Sequence, residues 1–264
     1  MRRLRDLLSW RRPPTDAIDA FAPLPCPETP ICIVGDLHGR LDLLERMLDA
    51  IDARADAGAH RTVFVGDMID RGPQSAAILS RLAQLNTAAP EQIICLMGNH
   101  ERMMLDFMDD PARCGPHWLA NGGNETLASF GLSPWTRNSD VSADKRLESL
   151  AADLAEAMPG EVAQWVTALP LVWCEGTLVV THAGADPSRE IAGQSAQTHL
   201  WGHPAFLRQK RYDGLWLAHG HTIMDEAHAQ SGRIAVDTGA WRTNRLSAAW
   251  LSQDGLEFIE VSNA

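Results

Sequence analysis

The chain has 264 residues, 45% of them hydrophobic and 22% charged, a balance ordinary for a globular protein whose core is large enough to fold without staples. A net charge of -11 argues against a nucleic-acid or anionic-membrane surface spread over the whole molecule. The five cysteines (Cys26, Cys32, Cys95, Cys114, Cys174) are widely spaced with no CxxC pair, which argues against a disulfide framework or zinc–thiolate site and for a reducing, cytoplasmic setting.

The N-terminal stretch MRRLRDLLSW is basic, and Leu7–Leu8 is its longest apolar run; a secretory signal needs an apolar core of roughly 7–15 residues. No later segment approaches the roughly 20 apolar residues of a membrane span, so no stable membrane insertion is expected. Residues 1–30 read as a solvated basic arm and a Pro-rich linker (13–30), ahead of a single domain over 31–264. Ile31–Gly35 (ICIVG) predicts a buried strand, and Leu41–Ala57 carries Leu41, Leu44, Met47, Leu48 and Ile51 at helical spacing. Thr62–Gly66 (TVFVG) is a second strand before a helix over Gln74–Leu85, and Gln92–Met97 (QIICLM) a third before a helix over Glu101–Met108. That alternation is the βαβ rhythm of a parallel sheet. Residues 111–170 read as mostly helical, broken at Gly122–Gly123 and Ser133–Pro134. Strands return at Thr177–Thr181, Leu215–Ala218, Arg233–Val236, Leu246–Leu251 and Leu256–Val261. The expected fold is α/β: two packed mixed β-sheets flanked by helices, with the helical insertion (about 111–170) over one face.

Each of the first three strands ends in a glycine followed at once by metal-ligating residue types. The segments are Gly35-Asp36-Leu37-His38-Gly39, Gly66-Asp67-Met68-Ile69-Asp70-Arg71-Gly72 and Gly98-Asn99-His100-Glu101. In an open parallel sheet the loops after the carboxyl ends of the strands share one crevice, so these segments are expected to meet in space. The second half adds Thr181-His182-Ala183-Gly184 and Gly220-His221-Thr222 after apolar runs. Oxygen donors from Asp and Asn mixed with imidazole nitrogens suit manganese, iron or zinc better than calcium or magnesium. A lone Gly-Asp is usually a turn, and a lone histidine is more often a surface or core residue than a ligand. Five such elements in this order are far more specific than any one of them.

The series GDLHG (35–39), GDMIDRG (66–72), GNHE (98–101), THAG (181–184) and GHT (220–222) resembles the signature of the phosphoprotein phosphatase family, within the calcineurin-like metallophosphoesterases. The resemblance is strongest to the bacterial serine/threonine phosphatase branch, with which Trp118–Gly131 (WLANGGNETLASFG) and Val236–Ala240 (VDTGA) also agree, and it spans about residues 30–250. It implies the calcineurin-like metallophosphoesterase fold and two divalent metal ions, manganese foremost with iron or zinc as alternatives. One ion would be held by Asp36, His38 and Asp67, the other by Asp67, Asn99, His182 and His221, with Asp67 bridging. The resemblance further implies a metal-activated water as nucleophile, His100 as general acid oriented by Asp70, and Arg71 clamping the phosphate, with Asn99 also facing substrate.

The chain departs from the family at one position. Related phosphatases carry a second phosphate-binding arginine in a Trp-x-Arg pattern between the last two histidine motifs, where this chain reads Leu200-Trp201-Gly202-His203. His203 could bind phosphate when protonated, Arg208 or Arg211 could reach in instead, or phosphate affinity could simply be lower. The expected activity is that of a serine/threonine protein phosphatase on a phosphorylated protein or small phosphoester, with no nucleic-acid partner. Hydrolysis of dinucleoside polyphosphates is the alternative, against which Glu101 speaks, since those relatives usually carry aspartate there. A catalytically weakened metal-binding protein is the alternative from another class, and the intact ligand set with Asp70 and His100 speaks against it. His219, two residues before His221, shares its strand face and reads either as a neighbour of the site or as a core histidine.

Overall fold

In the computed structural model, which describes residues 8–12, 21–55, 58–136 and 142–263, the apolar runs of the sequence become the centres of two sheets. The first half runs β1 (Leu8–Arg11), β2 (Ile31–Val34), α1 (Leu41–Ala55), β3 (Arg61–Phe64), α2 (Ser75–Ala88), β4 (Ile93–Cys95) and α3 (Asn99–Asp109). The middle holds α4 (Pro111–Trp118), a kinked turn (Leu119–Gly123), α5 (Asn124–Ser129), α6 (Ala143–Ala157) and α7 (Gly160–Thr167). Then follow β5 (Val172–Glu175), β6 (Leu178–Thr181), α8 (Ala196–Trp201), β7 (Trp216–His219), β8 (His228–Gln230), β9 (Arg233–Ala235), α9 (Ala240–Thr243), β10 (Arg245–Ser252) and β11 (Gly255–Ser262).

Among the described residues one sheet has the order β1-β11-β10-β2-β3-β4 and the other β5-β6-β7-β9-β8. β2, β3 and β4 pair in parallel, as do β6, β7 and β9, and antiparallel strands flank both parallel centres. Every residue of β2 is buried, yet they serve two cores because successive side chains alternate faces. Ile31 and Ile33 meet Val63, Val65, Leu178, Val180, Trp216 and Ile234 between the sheets. Cys32 and Val34 turn outward to Phe64 and to Leu44 and Met47 of α1. Covering both faces is what makes a parallel strand read as an unbroken apolar run. α1 buries Leu44, Met47 and Ile51 of the predicted stripe together with Leu43, while Leu41 and Leu48 are half-buried against the same core. The helical insertion lies on the same outer core, where Trp118, Leu127, Leu147 and Val166 join Phe107 of α3.

Residues 1–30, expected as an arm and linker outside the domain, are in part built into it. Leu8–Arg11 pairs antiparallel with β11, Leu8 opposite Val261 and Arg11 opposite Phe258. Phe21 packs edge-on against Trp216 with ring centres 5.7 Å apart, and Trp216 Nε1–H donates to the carbonyls of Ala22 and Pro23. Residues 1–7 and 13–20 lie outside the described residues. β5 and β8 are the other strands that apolar patterning does not predict; both are edge strands with little buried surface of their own. No helix among the described residues is long and apolar enough to cross a membrane.

Candidate metal centre

Parallel strands present their carboxyl ends along one edge, and the expected ligands gather there. Asp36 and His38 follow β2, Asp67 follows β3, Asn99 opens α3, His182 follows β6 and His221 follows β7. The first five are buried and His221 is partly so. Asp67 faces two ways: its Oδ2 lies 3.5 Å from His38 Nε2, and its Oδ1 lies 3.3 Å from His182 Nε2. Asn99 Oδ1 is 2.8 Å from both His182 Nε2 and His221 Nδ1. Among the described residues, His38–Asp67–His100 and Asp67–His182–His221 form two groups with ligand atoms within 4.8 Å of one another, and Asp67 belongs to both. Asp36 adjoins them, its carboxylate accepting the His221 backbone N–H at 3.1 Å.

Backbone carbonyls choose which ring nitrogen looks inward. His38 Nδ1–H donates to the Ile69 carbonyl at 2.7 Å and His182 Nδ1–H to that of Val65 at 3.1 Å. Held so, each ring turns its Nε2 towards Asp67, the orientation that a metal ligand needs. The charges tell the same story. Burial, then Asp237 and Asp67, raise the Asp36 carboxyl well above its ordinary value. Burial also pushes His38 down to about 3 and His221 down to about 4, which keeps both imidazoles neutral and able to ligate. Asp67 goes the other way: burial disfavours its charge, but His182 and His100 hold it well below the usual carboxylate range. Crowded buried carboxylates beside neutral imidazoles fit divalent cations.

The backbone is held against its preferences at the same place. Of the seven non-glycine residues with positive φ among those described, five are His38, Asp67, Asp70, Arg71 and His221. Such conformations persist only where the surroundings enforce them, and they cluster at functional sites. Gly98 serves close approach: a Cβ there would lie 2.2 Å from Asp67 Oδ1.

Beside the ligands, His100 Nδ1–H donates to Asp70 Oδ2 at 2.6 Å. The Arg71 guanidinium reaches His38 Nε2 at 3.2 Å and His100 Nε2 at 3.1 Å, and lies 5.1 Å above the centre of the Trp241 ring. His203 stands apart from this cluster. It lines a neighbouring cavity of about 290 Å³ with Trp201, Leu207 and His221, its Nδ1 accepting the Ala205 N–H at 3.3 Å and its Nε2 lying 3.8 Å from Asp186. Arg211 is occupied elsewhere: it is buried and donates to the Asp213 carboxylate and to the carbonyls of Asp186 and Arg189. Arg208 is exposed. His219 is a core histidine, its ring edge-on to Phe206 at 4.9 Å and its Nδ1–H donating to the Gly220 carbonyl.

Other residues around the site are not singled out by the sequence. Glu101 accepts backbone N–H groups from both ligand loops, Trp241 backs Arg71, and Trp118 and Thr126 donate to Asp70. The signal for the last two is their place in the WLANGGNETLASFG stretch, which matches a family pattern but includes no ligand or acid–base residue of its own.

The chain belongs to the calcineurin-like phosphoesterase family, whose model matches residues 29–225. It is a phosphoprotein phosphatase-like metallophosphoesterase, from a family that hydrolyses phosphoesters with divalent metal ions. It is 36% identical over 228 residues to serine/threonine-protein phosphatase 1 of Salmonella typhimurium, a match covering 83% of this chain and 90% of that protein. It is also 25% identical over 259 residues to the asymmetrical bis(5'-nucleosyl)-tetraphosphatase PrpE of Oceanobacillus iheyensis, covering 88% of this chain and 92% of that one. The fold is shared with a cold-active protein-tyrosine phosphatase from a psychrophilic Shewanella, at a TM-score of 0.57 and 16% identity over 88% of this chain and 80% of that chain.

Proposed function

We propose that the chain is a serine/threonine protein phosphatase that binds two divalent ions, manganese first among them, and protonates the leaving group from His100. The observation that carries the chemistry is Asp67 shared between two ligand groups, with the 2.6 Å His100–Asp70 hydrogen bond directly beside it. The choice of a protein substrate is supported by the 36% identity to the Salmonella phosphatase over most of both chains. Asp36, His38 and Asp67 would hold one ion, and Asp67, Asn99, His182 and His221 the other. When bound, the ions supply Lewis acidity to the phosphoryl oxygens and acidify a water.

The chain's own residues do the rest. The planar Arg71 fork matches two phosphoryl oxygens, and Trp241 backs its face. Phosphate that engages Arg71 draws the guanidinium from His100 Nε2, leaving that nitrogen to carry the proton for the departing oxygen. Asp70 keeps the other ring nitrogen protonated and the imidazole aimed. A cavity of about 480 Å³, lined by Arg71, Asn121, Glu125 and Trp241, opens beside Arg71, giving a phosphorylated side chain room there.

The test uses metal-depleted chain reconstituted with Mn²⁺, assayed on an aryl phosphate, phosphoserine, phosphothreonine and phosphotyrosine peptides, and diadenosine tetraphosphate. The highest kcat/KM is expected on the phosphoserine or phosphothreonine peptides. Preference for the dinucleotide would move the assignment to the activity of the Oceanobacillus relative. No hydrolysis with two ions bound per chain would sink the mechanism. His100→Asn is expected to keep both ions and lose about 10²- to 10³-fold in kcat on poor leaving groups; loss of the ions would instead make His100 a ligand.

A further inference from the structure

The Asp70–His100 pair depends on a segment that carries no ligand. Asp70 is fully buried, and its carboxylate accepts three side-chain donors. Oδ2 takes His100 Nδ1–H at 2.6 Å and Trp118 Nε1–H at 3.0 Å, and Oδ1 takes the Thr126 hydroxyl at 2.6 Å. The Thr126 oxygen also accepts the Asp70 backbone N–H at 2.9 Å, sharing it with Ser75 Oγ at 3.0 Å. Trp118 is itself fixed, stacked on Phe107 with ring centres 4.8 Å apart. Between Trp118 and Thr126, the kinked turn brings the Gly122 carbonyl to the Arg71 N–H at 3.3 Å. Only glycine fits there: φ is +108°, and a Cβ would lie 2.6 Å from the Arg71 nitrogen.

Asp70 and Arg71 both have left-handed φ, +71° and +67°, a conformation that side chains adopt only where the surroundings impose it. One nine-residue segment, Trp118 to Thr126, thus contacts the backbone of both and the carboxylate of the first. We propose that Trp118 and Thr126 of the helical insertion are positioning residues that aim the Asp70–His100 pair at the leaving group, while Gly122 between them seats Arg71 for the phosphoryl oxygens. The inference rests on the reading of His100 as proton donor. A purely architectural role for the segment predicts a different outcome, because lost packing slows all substrates alike, whereas a misaimed acid slows only leaving groups that need a proton.

The experiment measures kcat/KM of the full Mn²⁺-loaded chain on phosphate esters from dinitrophenyl phosphate to an alkyl phosphate, for wild type, His100→Asn, Thr126→Val, Thr126→Ser and Trp118→Phe. Thr126→Val and Trp118→Phe are expected to lose about tenfold or more on the alkyl ester and less than about threefold on the dinitrophenyl ester. Thr126→Ser, which keeps the hydroxyl, should recover most of the loss. A uniform loss across leaving groups, or none, while His100→Asn is selective, overturns this inference alone. A non-selective His100→Asn overturns the proton-donor reading and this inference with it. A second readout is independent of turnover: the downfield Nδ1–H resonance of His100, reporting the short bond to Asp70, should shift in Thr126→Val and return in Thr126→Ser. An unmoved resonance overturns the positioning role even if the chain is inactive on every ester.

Discussion

Glu101 is fully buried and accepts four backbone N–H groups. Oε2 takes those of Asp67 and Gly98 at 2.9 and 2.8 Å, and Oε1 those of Met68 and Ile69 at 2.8 and 3.3 Å. One carboxylate thereby ties the loop of the shared ligand to the start of α3. Burial, then Asp67, push Glu101 up to about 7, and the four donors oppose that penalty. Glu101→Gln turns one oxygen into an NH₂ group facing backbone donors. A buried donor left without an acceptor costs about 1–3 kcal/mol, so urea unfolding of the metal-free variant should report a loss of about 2 kcal/mol or more, with weaker Mn²⁺ binding in titration. An unchanged midpoint and affinity would show that the loops hold without the clasp. The ligands were legible in the sequence because each follows an apolar run and a turn; the clasp was not. Its Asp67 partner lies 34 residues upstream, and GNHE reads the same whether its glutamate faces solvent or four N–H groups. Trp241 is alike in this respect, since nothing near it in the chain names Arg71.

At the scale of elements, legibility followed burial. β2, β3 and β6 are visible as unbroken apolar runs because both of their faces are covered, and the loops that follow them carry the site with them. β1, β5 and β8 were not, since LSWR, VWCE and HAQ owe their extended form to pairing with a neighbour at a sheet edge. The basic start looks solvated in the sequence for the same reason: its charge is visible, its partner β11 is not. β1 adds more than hydrogen bonds. Trp10 packs on the outer core, and the Arg54 guanidinium lies 5.3 Å above its ring centre. Trp10→Ala removes that burial and the cation–π contact, together worth about 2–3 kcal/mol. Thermal unfolding should show that loss while kcat on an aryl phosphate stays at the wild-type level, because β1 is separated from the ligand-bearing strands by β11 and β10. A fall in kcat at full metal content would mean that the edge strand reaches the site.

The molecule as a whole is two sheets meeting at a shared core and at one row of loops. Asp36, His38, Asp67 and Asn99 come from the first sheet and α3, His182 and His221 from the second. The ion held by Asp67, Asn99, His182 and His221 would therefore act as a cross-link between the layers, adding to the core of Ile33, Val63, Val180 and Trp216 between them. A ligand that binds the folded state alone stabilises it by RT ln(1 + [L]/Kd), about 2.7 kcal/mol at a hundred times Kd. For a domain of this size each kcal/mol moves Tm by roughly 2–4 °C. Calorimetry is thus expected to show a single transition that rises by about 5–10 °C in saturating Mn²⁺ and falls back on chelation. His182→Ala, which takes a ligand from the second sheet, should remove much of the rise, measured between the metal-free and Mn²⁺-loaded forms of the same variant. Two separate transitions would mean that the layers fold independently, and an equal rise in His182→Ala would place the stabilising ion away from the seam.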